Sequence, residues 1–315
     1  EKAARVSGEL IATSEANGFP ALDNVGAEYG YRDLFNLEDY SSSKEVLFWR
    51  KYEVGAITSI WDRYAGNGAG RGLTKSMIDS YLKSDGTPVA ADYDDSSLQK
   101  IVENRDPRLT QTVQINDGEH YRWRAATPTV YFIAPAFDGY DNEESCPTGY
   151  QTYKGHNFNY AEARPSGQGL QALIYFRYGE TLLNYAEAKA ELGTITQSDL
   201  DKSINKLRDR VGMPHLSINV SNDPNFEFAN LSPIIQEVRR ERKVELACEG
   251  FRMDDIIRWA AAGELIVGKI PLGAKKQQWV NFQFSDYLPE AQPDLSRQEL
   301  FTRRLEDLEV NEAGY

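Results

Sequence analysis

The sequence is poor in the residues that carry most covalent and metal chemistry. Among 315 residues there are two cysteines, three histidines and three methionines. Cys146 and Cys248 lie far apart and neither belongs to a CxxC, which argues against a zinc site or a thioredoxin-type pair. Cys248 falls in a helical pattern and reads as a small buried hydrophobe. His120, His156 and His215 are scattered without HExxH spacing, so neither a metal centre nor a hydrolytic triad is expected. Positive charge is also scarce: 35 Lys and Arg face 48 Asp and Glu, for a net charge of −13. Such a chain repels polyanions, which excludes nucleic acid as a natural partner. No apolar run approaches the roughly 18 residues that a membrane-spanning helix needs. No signal peptide is legible, and the chain opens EKAARVSGELIATSEANGFPAL, as if within a helix. A processed or trimmed polypeptide is the expectation.

What is present can build a core. Hydrophobic residues make up 41% of the chain and aromatics 11%, which places it among globular proteins. Its length permits one large domain or two small ones. Residues 3–17 read as a helix ended by Gly18 and Pro20. Val46–Tyr52 alternates like a strand. A short helix capped by Thr74 runs to Leu82 and stops at Ser84-Asp85-Gly86. Residues 88–169 are loop-rich, with a strand expected at Thr129–Ile133. Leu170–Leu192 then reads as one long helix. A second helix capped by Ser198 follows, with Leu200, Ile204, Leu207 and Val211 on one stripe, so the two should pack as a hairpin. Ser232-Pro233 opens a further helix, Gly250 breaks it, and another should run over Met253–Ala262. Trp279–Phe284 is a strand candidate.

Chemical motifs are few. GNGAGRG (Gly66–Gly72) lacks the Lys-Ser/Thr of a phosphate loop and never forms GxGxxG, so it reads as a flexible loop. Asp92, Asp94 and Asp95 form one acidic cluster, and Asp138, Asp141, Glu143 and Glu144 another. Neither fits an EF-hand; solvated loops are the first reading, loop calcium the lesser one, and no cofactor is expected. Aromatics are concentrated: ten of the 42 residues from Glu119 to Tyr160 are Phe, Tyr or Trp. Flat rings accept the C–H face of a sugar, while Asn, Asp and Arg hydrogen-bond its hydroxyls. On composition and loop position the candidate ligand contacts are Trp61, Tyr64, Tyr121, Trp123, Tyr131, Tyr140 and Tyr153, with Arg63 and Asn67 as polar partners.

The most distinctive run is RRERKVELACEGFRMDDIIRW, Arg239–Trp259. It holds six basic and five acidic residues and is close to neutral. Glu237, Glu241, Glu245 and Glu249 are spaced by four. Arg242 is placed to pair with Glu245, and Arg252 and Arg258 with Glu249, Asp254 or Asp255 across the Gly250 turn. The other guanidiniums must meet solvent or neighbouring helices. Such pairs would fix register more than they add stability.

This run resembles the hallmark RRERxxEL…EGxRxxDxxRW of the SusD/RagB-type nutrient-binding lipoproteins of Bacteroidetes. Thr74–Gly86 (TKSMIDSYLKSDG), Arg105-Asp106-Pro107-Arg108, Tyr178–Ala188 (YGETLLNYAEA) and Ile204–Arg208 (INKLR) are similar to further family segments, in the family's order. The usual segment before residue 1, with its lipidated cysteine, is missing, and the closing segment is not recognisable after Leu288. The chain therefore looks like a central and C-terminal piece. The resemblance implies a mostly α fold of tetratricopeptide-like hairpins with loop-rich insertions and a few short strands. It would form one domain over 1–315, with a ligand-binding region at about 53–169 and a hairpin region at about 170–263. It further implies a non-catalytic, lipid-anchored outer-membrane protein. Such a protein binds an oligosaccharide or other nutrient at the cell surface and partners a TonB-dependent SusC-like transporter. Two alternatives stand beside it. One is a tetratricopeptide-like scaffold that binds peptides along its hairpins. The other is a secreted glycoside hydrolase, for which no carboxylate pair recommends itself.

Overall fold

The computed structural model describes residues 1–24, 26–61, 65, 68–118, 120–124, 129–132, 135, 146–156, 167–275 and 278, with backbone only for 121–124 and 129–131. Helix α1 (Lys2–Asn17) ends at Gly18, whose φ of 69° lets its N–H reach Ser14 O. After the short α2 (Gly30–Asp33) comes β1 (Val46–Arg50). Helix α3 (Lys75–Ser80) is capped by Thr74 as expected, and α4 (Leu98–Val102) by Ser97. Strands β2 (Tyr121–Arg124) and β3 (Thr129–Tyr131) form an antiparallel hairpin.

The next segment departs from its sequence reading. Leu173–Arg177 is a strand, β4, and the helix α5 begins only at Tyr178 and runs to Glu191. LIYFR is rich in β-branched and aromatic side chains and pairs antiparallel with β1, Val46 opposite Arg177. Tertiary pairing wins over the helical period there. The following helix is split into α6 (Gln197–Asp201) and α7 (Ile204–Arg210). Its cap is Thr196, not Ser198: Thr196 and Asp199 close a reciprocal capping box. The expected stripe holds, since Leu200, Ile204, Leu207 and Val211 are all buried.

The charged run builds α8 (Pro233–Glu245), α9 (Arg252–Arg258) and, after a left-handed Ala260, α10 (Ala262–Leu265). The expected helix over Met253–Ala262 is thus broken. Cys248 is no buried hydrophobe: α8 has already ended, and Cys248 sits at φ 63° on an exposed turn before Gly250. The strand expected at Trp279–Phe284 lies outside the described residues.

Two apolar cores meet on α8. Val238 joins Leu182, Leu183, Leu200, Ile204 and Leu207 in the helical core. Val244 joins Ile78, Tyr81, Leu98, Ile101 and Leu109 in the core beneath the loops. Between these contacts every residue from Gln236 to Glu245 is buried, seven of them charged. Buried charges must be paired, and the partners come from the whole chain. Glu245 receives Arg108 (3.0 Å), Arg177 (2.9 Å) and Arg210. Glu241 receives Arg108 (2.6 Å) and Arg208 (2.9 Å). Just past the helix, Glu249 receives Arg177 and Lys154, both at 2.7 Å.

Several expected pairs are replaced. Arg242 turns away from Glu245 and holds both carboxylate oxygens of Asp255 at 2.9 Å. Arg252 reaches Glu227 at 3.1 Å rather than a neighbour across the turn. Arg258 does contact Asp255 (2.8 Å), and it also grips Glu187. In a helix buried on all sides, neighbouring elements outcompete partners three or four residues away.

Candidate functional site

Trp61 is the predicted contact that the structure describes most fully. Its N–H donates to Ser59 Oγ (3.0 Å), and Ser59 exchanges two backbone hydrogen bonds with Gly169 (2.7 and 2.9 Å). The loop is thereby tied to the segment that precedes β4. The half-buried indole has the Arg71 guanidinium 4.5 Å above its centroid. Its Nε1 edge rests on Gly155, where a Cβ would fall 2.8 Å from Nε1. Gly155 is itself held in place, because Gln171 Nε2 donates to its carbonyl (2.7 Å) and to that of Phe35 (2.6 Å).

Tyr153 is placed differently from its sequence reading. It is buried, its hydroxyl accepts from Arg32 Nη1 (2.9 Å), and the His120 ring lies 4.5 Å from its own. It packs among the described loops from inside. The β2–β3 hairpin sets Tyr121 opposite Tyr131 and Trp123 opposite Val130, so those three candidates share one small element. Arg63, Tyr64, Asn67 and Tyr140 lie outside the described residues.

Two features escaped the sequence reading. An exposed aromatic face stands on the β1–β4 ribbon, where Phe48 lies 5.5 Å from Tyr175 and 6.1 Å from Phe176, ring centre to ring centre. Reading 170–192 as one helix hid it; the consecutive β-formers Ile174, Tyr175 and Phe176 were the available signal. The other is a cleft of about 1150 Å³ between α3, the 89–93 loop, α9 and residues 264–272. Its wall carries Tyr93, whose hydroxyl donates to Asp79 (2.7 Å). Burial and that carboxylate push the phenol pKa upward. Its floor carries Lys243, bonded to Glu227 (2.9 Å) and Ser76 O (3.1 Å). The lining comes from widely separated segments, so no local pattern announces it.

Among the described residues no group of three or more His, Cys, Asp or Glu could hold a metal ion. Of the first acidic cluster, Asp95 already pairs with Lys275 (2.8 Å) and Lys75 (3.8 Å). The second cluster lies outside the described residues. No described helix is long and apolar enough to cross a membrane.

The fold has close company. A SusD-like protein from Bacteroides fragilis superimposes with a TM-score of 0.60 at 25% identity, covering 81% of this chain and 50% of its own. A SusD-like carbohydrate-binding protein from the same species gives 0.60 at 23% identity, covering 91% and 54%. The chain thus spans about half the length of these solved relatives. Both share the mostly helical, tetratricopeptide-like architecture. No curated protein matches the chain. The sequence pattern of the SusD family matches residues 35–307, and the chain belongs to that family.

Proposed function

We propose that this protein is the glycan-capturing component of a nutrient-uptake complex. Family membership is the observation that carries the reading, and one solved relative of the same fold is described as carbohydrate-binding. The protein binds an oligosaccharide on aromatics of the loop-rich region and hands it, unchanged, to a TonB-dependent SusC-like transporter. It works at the cell surface, anchored in the outer membrane by a lipid on a segment outside this chain. The half-buried Trp61 in its fixed cradle and the aromatic β2–β3 hairpin support the loop region as the place of contact.

Capture requires release. A few stacked rings at about 1–3 kcal/mol each, set against the cost of association, give affinity in the micromolar range or weaker. Affinity electrophoresis and titration calorimetry against a glycan panel test the reading. Binding without reducing-sugar release supports it; turnover of a bound glycan would make the protein a hydrolase; absence of any binding would remove the glycan. Co-purification with a TonB-dependent SusC-like transporter tests the partner.

A further inference from the structure

We infer that His120 is a proton-operated latch at the root of the β2–β3 hairpin, closed when its imidazole is protonated and slack when it is neutral, so that capture by the loop region weakens as pH rises. The inference rests on the glycan-binding reading and adds a means of control to it.

The geometry of the ring carries it. Nδ1 lies 2.7 Å from Asp117 Oδ2, and Nε2 lies 2.7 Å from the backbone oxygen of Thr110. A carboxylate and a carbonyl only accept, and a neutral imidazole has a single N–H. Both contacts are therefore hydrogen bonds only in the imidazolium. On losing a proton the ring turns a lone pair toward one of the two oxygens, and that bond is gone. The His120 side chain is only 11% exposed, so water replaces the lost partner poorly.

The latch joins a fixed part of the fold to the candidate contacts. Thr110 belongs to the turn after Arg108, whose guanidinium is held by Glu241 (2.6 Å) and Glu245 (3.0 Å). His120 O accepts from the N–H of Phe132 (2.9 Å) at the base of the hairpin that carries Tyr121, Trp123 and Tyr131. Against the ring, 4.5 Å away between centres, lies Tyr153. Behind Tyr153 stand Arg32, which donates to its hydroxyl (2.9 Å) and pairs with Asp33 (2.7 Å), and His156, 6.1 Å from it between ring centres. His120 is a positioning residue here: it sets the hairpin and does not touch the sugar. Its loosening is local, since a hairpin can open without the whole chain unfolding.

Hydrogen exchange on the full chain tests the latch without a ligand. The readout is the exchange rate of the backbone N–H groups of 121–124 and 129–132 in His120→Gln divided by that in the wild type, with α5 as internal reference. Rates are compared at matched pH from about 5 to about 9, a span that brackets the ordinary titration of histidine. Gln donates at one end only and has no proton to lose. The ratio should be on the order of 10 at the acid end, the worth of one charge-assisted hydrogen bond, and fall to about 1 at the alkaline end. Asp117→Asn is the second arm. Its amide can donate to a neutral Nδ1, so this variant should stay protected across the span and lose the pH dependence. Calorimetry with malto-, xylo- and cello-oligosaccharides then reads the control of capture. Wild-type affinity should fall on the order of 10-fold from the acid to the alkaline end, and that of Asp117→Asn should stay level. An exchange ratio that does not change with pH, a pH dependence kept by Asp117→Asn, or wild-type affinity that is level with pH would overturn the inference while leaving glycan capture standing. No binding by any of the oligosaccharides, with the exchange ratio falling as described, would remove the glycan reading and leave the latch.

Discussion

Glu245 shows how single residues act in this protein. It is fully buried and meets three guanidiniums. Burial alone would raise its pKa; Arg210, Arg177, Arg108 and Lys154 outweigh that and hold the carboxyl far below the usual range. Burying ions costs several kcal/mol each, so the cluster as a whole adds little net stability, whereas removing one partner leaves an uncompensated charge. The pairs also differ from those that spacing suggested, and this can be measured. A double-mutant cycle on Arg242 and Asp255 should give a coupling of about 0.5–3 kcal/mol, whereas one on Arg252 and Asp255 should be additive. Coupling in the second cycle and none in the first would contradict the observed contacts.

At the scale of elements, local signals and long-range pairing divide the credit. Thr74 as a cap, the turn at Gly86 and the buried stripe of Leu200 to Val211 were legible, because each depends on neighbours in sequence. The strand Leu173–Arg177 was not, because its partner β1 lies over a hundred residues earlier. The shift of the α6 cap from Ser198 to Thr196 turned on Asp199, whose side chain accepts from the Thr196 N–H at 2.9 Å. Denaturant unfolding should accordingly show Thr196→Ala losing about 1 kcal/mol and Ser198→Ala almost nothing. Equal losses would mean that the helix starts elsewhere.

On the scale of the whole molecule, α8 is a charged axle between two apolar cores. The run RRERKVELACEGFRMDDIIRW carries the family resemblance and, through its buried ion pairs, the framework. The candidate site was only partly readable: composition found the aromatic loops, but not that Tyr153 is an internal anchor or that Trp61 is cradled. Those facts depend on which loop crosses which, and sequence spacing does not encode it. The axle also sets the response to acid. Glu241, Glu245 and Glu249 are all held below their ordinary value, burial being outweighed by the guanidiniums and Lys154 around them. Their contribution is therefore complete above the unfolded value of about 4.3 and is lost as pH falls through the lower folded values. Glu237 and Glu180, pushed upward by burial, act the other way and blunt the effect. Melting temperature should be nearly flat from neutrality to about pH 5 and drop steeply below about pH 4.3; stability that rises on acidification would contradict the network.

The central claim is that this chain captures a glycan without altering it. Titration calorimetry of uncharged oligosaccharides into the protein, with the ligand recovered and sized afterwards, addresses it most directly. The account predicts saturable binding in the micromolar range or weaker, weakened by Trp61→Ala, with the oligosaccharide recovered intact. Recovery of shortened oligosaccharide, or no heat with any member of the panel, would contradict it.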